Sequence, residues 1–469
     1  MDHAELDHRV VIRFFVCLCA VALLALPINQ VRAAPTNDKS DHAITFAKDI
    51  APIFQAKCQD CHRPGTVAPM SLLTYQDARP WAKSIRERVI KHQMPPWHID
   101  RTQGVQHFLN DRSLSDAEVE TIVRWVDDGA PLGNPKDLPA PRTWPAEEQW
   151  QLAEKFGAPD FVIKSPTFSI AAESDDQWWD PVSTVPVTEA RWVRAVEIRP
   201  ATVAGRRVTH HAIARLWQND EDSEDRGPRG FSDGSGLLME WAIGKQYDIF
   251  RANTGKLLLP GAEIQWDIHL HANGQPVQDH VELAVYLYPK DSPPKYRTRL
   301  MMFRGTQGRF GGIDIPPNSM ADVEATTTLA EPARLESFQP HMHLRGKAMS
   351  MEAILPDGTV RMISNVDHFD FNWMNNYIYS DEDAPVLPRG TQIRIHAWHD
   401  NTTANRNNPD PTVHVGYGRR TTDEMAHAWV NVTYLSDKDY AEWAAQHPQK
   451  EKQKEIEKAP SMGSIVAKK

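Results

Sequence analysis

Cysteine is nearly absent from this chain, at four among 469 residues. Cys17 and Cys19 fall inside the first apolar stretch, which leaves only Cys58 and Cys61 for everything downstream. No disulfide framework can be drawn from so few, so the folded parts must be held by packing alone. Basic charge is also scarce. Lys and Arg number 52 against 62 Asp and Glu, a net charge of −10 with no basic stripe, which excludes a protein that tracks nucleic-acid phosphates. After the N-terminal stretch no run is apolar enough to span a bilayer. What remains is long for a single hydrophobic core, and two or three domains are expected.

The apolar stretch Val10 to Ile28 is broken only by Arg13 and closes on Val31-Arg32-Ala33-Ala34. That layout predicts a secretory signal peptide over residues 1–33, cut after Ala33, and a periplasmic or otherwise exported protein. A retained membrane anchor is the alternative, because the stretch approaches spanning length.

Composition divides the remainder. Residues 44–131 read as helical, with a capping-box pattern at Ser115-Asp116-Ala117-Glu118 and a helix stop at Gly129. A Pro-rich linker covers 132–157. From 158 onward, short alternating strands such as Arg191 to Ile198 are punctuated by Gly, Pro and Asn turns, which predicts two all-β jelly-roll or β-sandwich domains, at 158–295 and 296–437. Residues 438–469 read as one solvated helix and a charged, disordered tail. The fold class expected is thus multi-domain: an all-α domain followed by two all-β domains.

The motif Cys58-Gln59-Asp60-Cys61-His62 makes the expected all-α domain a cytochrome c domain. In C-x-x-C-H the two thiols form thioether bonds to a haem and the histidine takes one axial position on iron. A redox dithiol or half a zinc site can share the C-x-x-C spacing. The adjacent histidine, the export signal and the lack of a second cysteine pair favour covalent haem c. The segment resembles the class I cytochrome c domains fused to bacterial periplasmic enzymes. That resemblance implies Met94, in Gln93-Met94-Pro95-Pro96-Trp97, as the sixth iron ligand, with Met70, His92 and His98 as competitors.

Four further features lie in the β region: Thr209-His210-His211-Ala212, Ile268-His269-Leu270-His271, Pro340-His341-Met342-His343, and Asp423-Glu424-Met425. Side chains alternate along a strand, so His341 and His343 share a face, as His269 and His271 do on regular strand. Adjacent His210 and His211 can share a metal only across a twist or bulge. Imidazoles without thiolates suit copper, zinc or iron, and an added thioether pulls the choice toward Cu(I).

The order of these motifs resembles the copper type II, ascorbate-dependent monooxygenases, the family of peptidylglycine and dopamine hydroxylases. The resemblance covers about 158–434 and includes Glu240-Trp241-Ala242-Ile243-Gly244, His341-Met342-His343-Leu344-Arg345-Gly346-Lys347 and Thr421-Thr422-Asp423-Glu424-Met425. It implies two coppers, an electron-passing one on His210, His211 and His269 and an O2-binding one on His341, His343 and Met425. His271 stands as the alternative to His269.

The chain departs from the family in lacking its disulfides and in having Gln339 where peptide hydroxylases place an arginine for a substrate carboxylate. It also has His427 and Trp429 where they place Asn and Tyr. Peptidylglycine is therefore not the expected substrate. An apolar or aromatic one is, with Trp373, Trp398 and Trp429 as candidate walls. The expected function is C–H hydroxylation of a small organic molecule with O2, fed by a periplasmic electron donor through the haem. A haem and copper electron-transfer or copper-holding protein is the alternative, and a sugar- or partner-binding module ranks behind both.

Overall fold

The structure is a computed structural model that describes residues 43–66, 68–144, 149–219, 236–242, 245–306 and 312–447. The signal peptide expected at 1–33, Ile243 and Gly244, and the charged tail beyond His447 lie outside the described residues.

Strand dominates, at 36% against 17% helix, and this overturns the expectation of an all-α cytochrome domain ahead of two all-β domains. Among the described residues no all-α N-terminal cytochrome domain is evident. The helices of 44–131 are short: Ala51–Lys57, Tyr75–Ala78, Ala82–Ile90 and Asp116–Asp127. Proline is one physical reason. Pro64 and Pro69 follow the first of these, Pro80 sits in the tight turn between the next two, and Pro95 and Pro96 follow the third. Proline cannot donate a helix hydrogen bond and restricts the residue before it. The last helix starts where the sequence says it should, with Ser115 and Glu118 forming a capping box. Its Ile122 and Trp125 pack with Phe46, Ile50 and Phe54 in a small apolar cluster.

The second reason is that residues 97–110 pack against the β region. Trp97, Ile99 and Val105 belong to the same buried core as Phe338, Met349, Tyr377 and Ile395. Asp100 N donates to Asn365 O at 2.7 Å, Val105 N to Ile363 O at 2.9 Å and Leu109 N to Ile378 O at 2.8 Å. Gly104 sits at φ +72°, and a Cβ there would lie 2.5 Å from Ile363 O, so glycine permits this close passage. Residues from Ile44 onward therefore cluster as one unit.

The β region has two main apolar cores. One is built from strands between Phe161 and Leu287 around Val196, Ile198, Trp266, Leu283 and Val285. The other draws on strands between Tyr296 and Tyr434. Strand Val281–Leu287 is buried along its whole length. It pairs antiparallel with Phe161–Lys164 and with Arg191–Pro200, and its one acid, Glu282, lies opposite Lys164 and Arg199. Ion pairs of 3.0 and 3.2 Å to those two side chains offset the cost of burying its carboxylate. The two parts share a sheet. Strand Tyr296–Arg304 pairs with His427–Tyr434 on one side and meets Leu237–Ala242 on the other. No helix among the described residues is long and apolar enough to cross a membrane.

Trp266 is fully buried in the first core, its indole N–H donating to Ser183 Oγ at 2.9 Å. Trp266→Ala is expected to lower unfolding free energy by about 3–5 kcal/mol, as read by urea denaturation.

Candidate metal centres

Strand Thr209–Trp217 carries His210 and His211, and strand Glu263–Leu270 carries His269 beside them. The register runs His269 opposite His211, then Leu270 opposite Thr209, so His210 is the extra residue of a bulge. The bulge lets adjacent side chains turn to one side. One ligand atom each from His210, His211 and His269 lies within 4.8 Å of the others. His210 Nδ1 and His211 Nδ1 face each other at 3.4 Å.

His271 goes elsewhere. It is exposed, with Nδ1 2.7 Å from Asp176 Oδ1. The other oxygen of Asp176 lies 3.1 Å from His269 Nε2, out of line for a hydrogen bond, and Nε2 is buried without a hydrogen-bond partner. Trp178 stacks on His269 at 4.5 Å. Asp176 and Trp178 were not legible as site residues, since the strand Gln177–Trp179, which pairs Trp178 with His269, is too short to carry a spacing signal.

The second set forms where strands Ser337–His341 and His427–Tyr434 pair. His341 lies opposite His427 in register and stacks on it at 4.6 Å. His343 follows just beyond the strand end, and Met342 between them is fully buried in the second core. His343 Nδ1 is 3.1 Å from Asp423 O. A carbonyl only accepts, so Nδ1 carries the proton and Nε2 presents its lone pair. His341 Nδ1 and His427 Nε2 are buried with no hydrogen-bond partner.

Glu424 organises the loop that carries Met425. Fully buried, it accepts from His343 N at 2.9 Å, Arg345 N at 2.6 Å and Met425 N at 3.3 Å. Burial pushes its carboxyl up to about 7, against the pull of those N–H groups. His399 Nε2 donates to Met425 O at 3.3 Å, so the methionine backbone is held from two sides.

Desolvation keeps the imidazoles neutral. It lowers His210 and His343 to about 4 and His427 to about 3, and holds His211 and His341 well below the usual histidine value. Neutral imidazole is the form that ligates metal. Among the described residues, His210, His211 and His269 are the one group of histidine, cysteine or carboxylate side chains close enough together to hold a metal ion.

The two sets face one another. His211, His341, His343 and Met425 line a single cavity of about 100 Å³. Phe371 stands between them, stacked on His210 at 5.2 Å and edge-on to His343 at 6.2 Å. Nothing in the sequence singles out Phe371. Of the three tryptophans expected as walls, Trp429 lines this cavity while Trp373 and Trp398 do not, and Trp178 lines it unexpectedly. Gln339 donates to Glu240, and this buried pair occupies the place expected for a carboxylate-gripping arginine.

At the cysteine motif, Cys58 and Cys61 are free thiols, and burial pushes Cys58 up to about 12. His62 Nδ1 donates to Met70 O at 3.2 Å, which leaves Nε2 as the lone-pair nitrogen suited to iron. Met70 packs against the helical cluster alongside Cys58. Met94 follows helix Ala82–Ile90 and is half-buried in the turn before Trp97.

No protein-family model matches this chain, and no curated protein matches it. Among solved structures it is similar to the major capsid protein P2 from bacteriophage PM2, at 11% identity over 60% of this chain and 98% of that one, with a TM-score of 0.28. It is also similar to the infectious bursal disease virus VP2 subviral particle, at 10% identity over 60% and 73% of the two chains, with a TM-score of 0.17. Likeness this low carries neither fold nor function across.

Proposed function

We propose that this chain is an exported copper-dependent monooxygenase that hydroxylates a C–H bond of a small organic substrate. Electrons reach it from a periplasmic donor through haem c on Cys58, Cys61 and His62. The observation that carries this reading is the single cavity onto which His211, from the three-histidine set, opens with His341, His343 and Met425. His210, His211 and His269 would hold one copper, and His341, His343 and Met425 the other. Copper in these sites supplies one-electron chemistry, two electrons and two protons per O2, with one oxygen atom entering the C–H bond and the other leaving as water.

The chain's own residues then have definite tasks. Asp423 O fixes the His343 tautomer, and Glu424 and His399 hold the Met425 segment in place. Ile213, Met302 and Trp429 give the cavity an apolar stretch of wall beside its charged residues Arg215, Asp267, Arg304 and Arg419. The cavity wall is mixed in charge: Arg215 and Arg419 pair with Asp267, and Arg304 adds a further cation, so the wall does not select against a charged substrate.

The cavity is small beside the roughly 300–1,000 Å³ usual for ligand pockets, and this favours either a compact substrate or the electron-transfer alternative. O2 uptake separates the two. Copper-loaded, reduced protein should consume O2 in proportion to hydroxylated product found by an untargeted screen, and consumption without product would support the alternative. Haem attachment is checked independently. Haem should survive acid–acetone extraction, and mature protein of apoprotein mass with free Cys58 and Cys61 thiols would contradict it.

A further inference from the structure

Of the histidines in the β-region motifs, only His271 belongs to neither set. It follows strand Glu263–Leu270 directly, and its backbone N–H donates to Val208 O at 2.7 Å, which fixes it at the end of the strand that carries His269. The ring is 70% exposed, and Nδ1 donates to Asp176 Oδ1 at 2.7 Å. An ionised carboxylate only accepts, so the proton is on Nδ1 and the lone pair of Nε2 is left to solvent. That is the form in which imidazole takes a metal ion, and the carboxylate behind it makes the ring a better donor.

Asp176 reaches inward as well. Its second oxygen lies 3.1 Å from His269 Nε2 and accepts from Thr421 Oγ1 at 3.2 Å. Trp178, two residues on, lies opposite His269 in register and stacks on its ring, which keeps the carboxylate beside the imidazole. His269 Nε2 is buried with no hydrogen-bond partner, so Asp176 does not serve it as an orienting acceptor. Exposure falls from 70% at His271 to 27% at Asp176 and 6% at His269, so donors follow one another from solvent to the buried set. His271 and Asp176 alone supply two donors, too few to keep an ion and suited to passing one on. The large cavity on which His210 and His271 both open is lined by more arginines than acids, so it does not draw a cation in by charge, whereas the Asp176 carboxylate does.

We infer that His271 and Asp176 form the port through which a copper ion enters the three-histidine set. His271 Nε2 takes the ion from solution, Asp176 carries it inward and His269 receives it. The inference rests on the reading of His210, His211 and His269 as a metal site, and on nothing about oxygen chemistry. No electron moves: the ion keeps its charge and exchanges water and one side-chain donor for the next.

Loading kinetics test it. Protein stripped of copper and otherwise intact is mixed with excess Cu(II)–glycine, and filling is followed by freeze-quench EPR through the signal that His210→Gln abolishes. His271→Ala should slow filling about tenfold with final copper content unchanged, and Asp176→Asn should do the same. His271→Ala removes no negative charge, so its effect is not lost electrostatic steering. If Asp176→Asn misfolds, the exposed His271→Ala decides alone. A normal rate in His271→Ala overturns the port, and so does a drop in its final copper content, which would make His271 a ligand of the site itself. Unmutated protein that takes up no copper at the three histidines overturns the metal reading and the port together.

Discussion

Replacing His341 and His343 together by alanine is expected to remove one of two coppers and all substrate-coupled O2 consumption. The other copper should be left spectroscopically intact. His210, His211 and His269 sit on different strands from His341 and keep their own contacts. The fold should survive, because Met342, the residue between the two, carries the local core packing. The complementary pair, His210→Ala with His211→Ala, should remove the other copper instead. Metal analysis of each purified variant reads the result directly. One zinc, or no metal, in copper-replete unmutated protein would rule out the whole assignment.

The second large effect is expected at Met425. A thioether is a weak, soft donor that favours Cu(I), the state that must meet O2. Met425 is half-buried and lines the cavity with His341 and His343, and Glu424 and His399 hold its backbone. Met425→Leu should therefore fold normally, keep its haem, bind copper through the histidines and lose nearly all substrate-coupled O2 uptake. Met349→Leu is the matched control. Met349 is fully buried in the second core, where a near volume-conserving swap costs less than about 1.5 kcal/mol and should leave activity intact. Equal activity in the two variants would make Met425 a packing residue and leave the reading on the histidines alone.

Short-range signals in the sequence translated well. The capping box at Ser115 is formed, and the bulge that adjacent His210 and His211 demand is present. His269 rather than His271 joins the three-histidine set, which the alternation of strand side chains left undecided. Partners brought by long-range packing were not legible. Phe371 and Asp176 reach the site from stretches with no periodicity of their own, and their roles depend on which strands become neighbours. The all-α domain failed for a related reason. The helical pattern in 44–131 is real but short-ranged, and nothing local announces that Trp97, Ile99 and Val105 belong to a core built more than 200 residues later.

That delay sets an order of events in time. A ribosome makes the cysteine motif early, while the surface that receives residues 97–110 is complete only after Tyr377 and Ile378 emerge. During that interval residues 97–110 lack the surface they pack on, while the segment around Cys58 already has its partners Phe54, Ile122 and Trp125. Severing the N-terminal stretch from the rest would remove the surface that receives Trp97. A fragment ending near residue 131 should thus keep its small helical cluster yet be prone to proteolysis at 92–114.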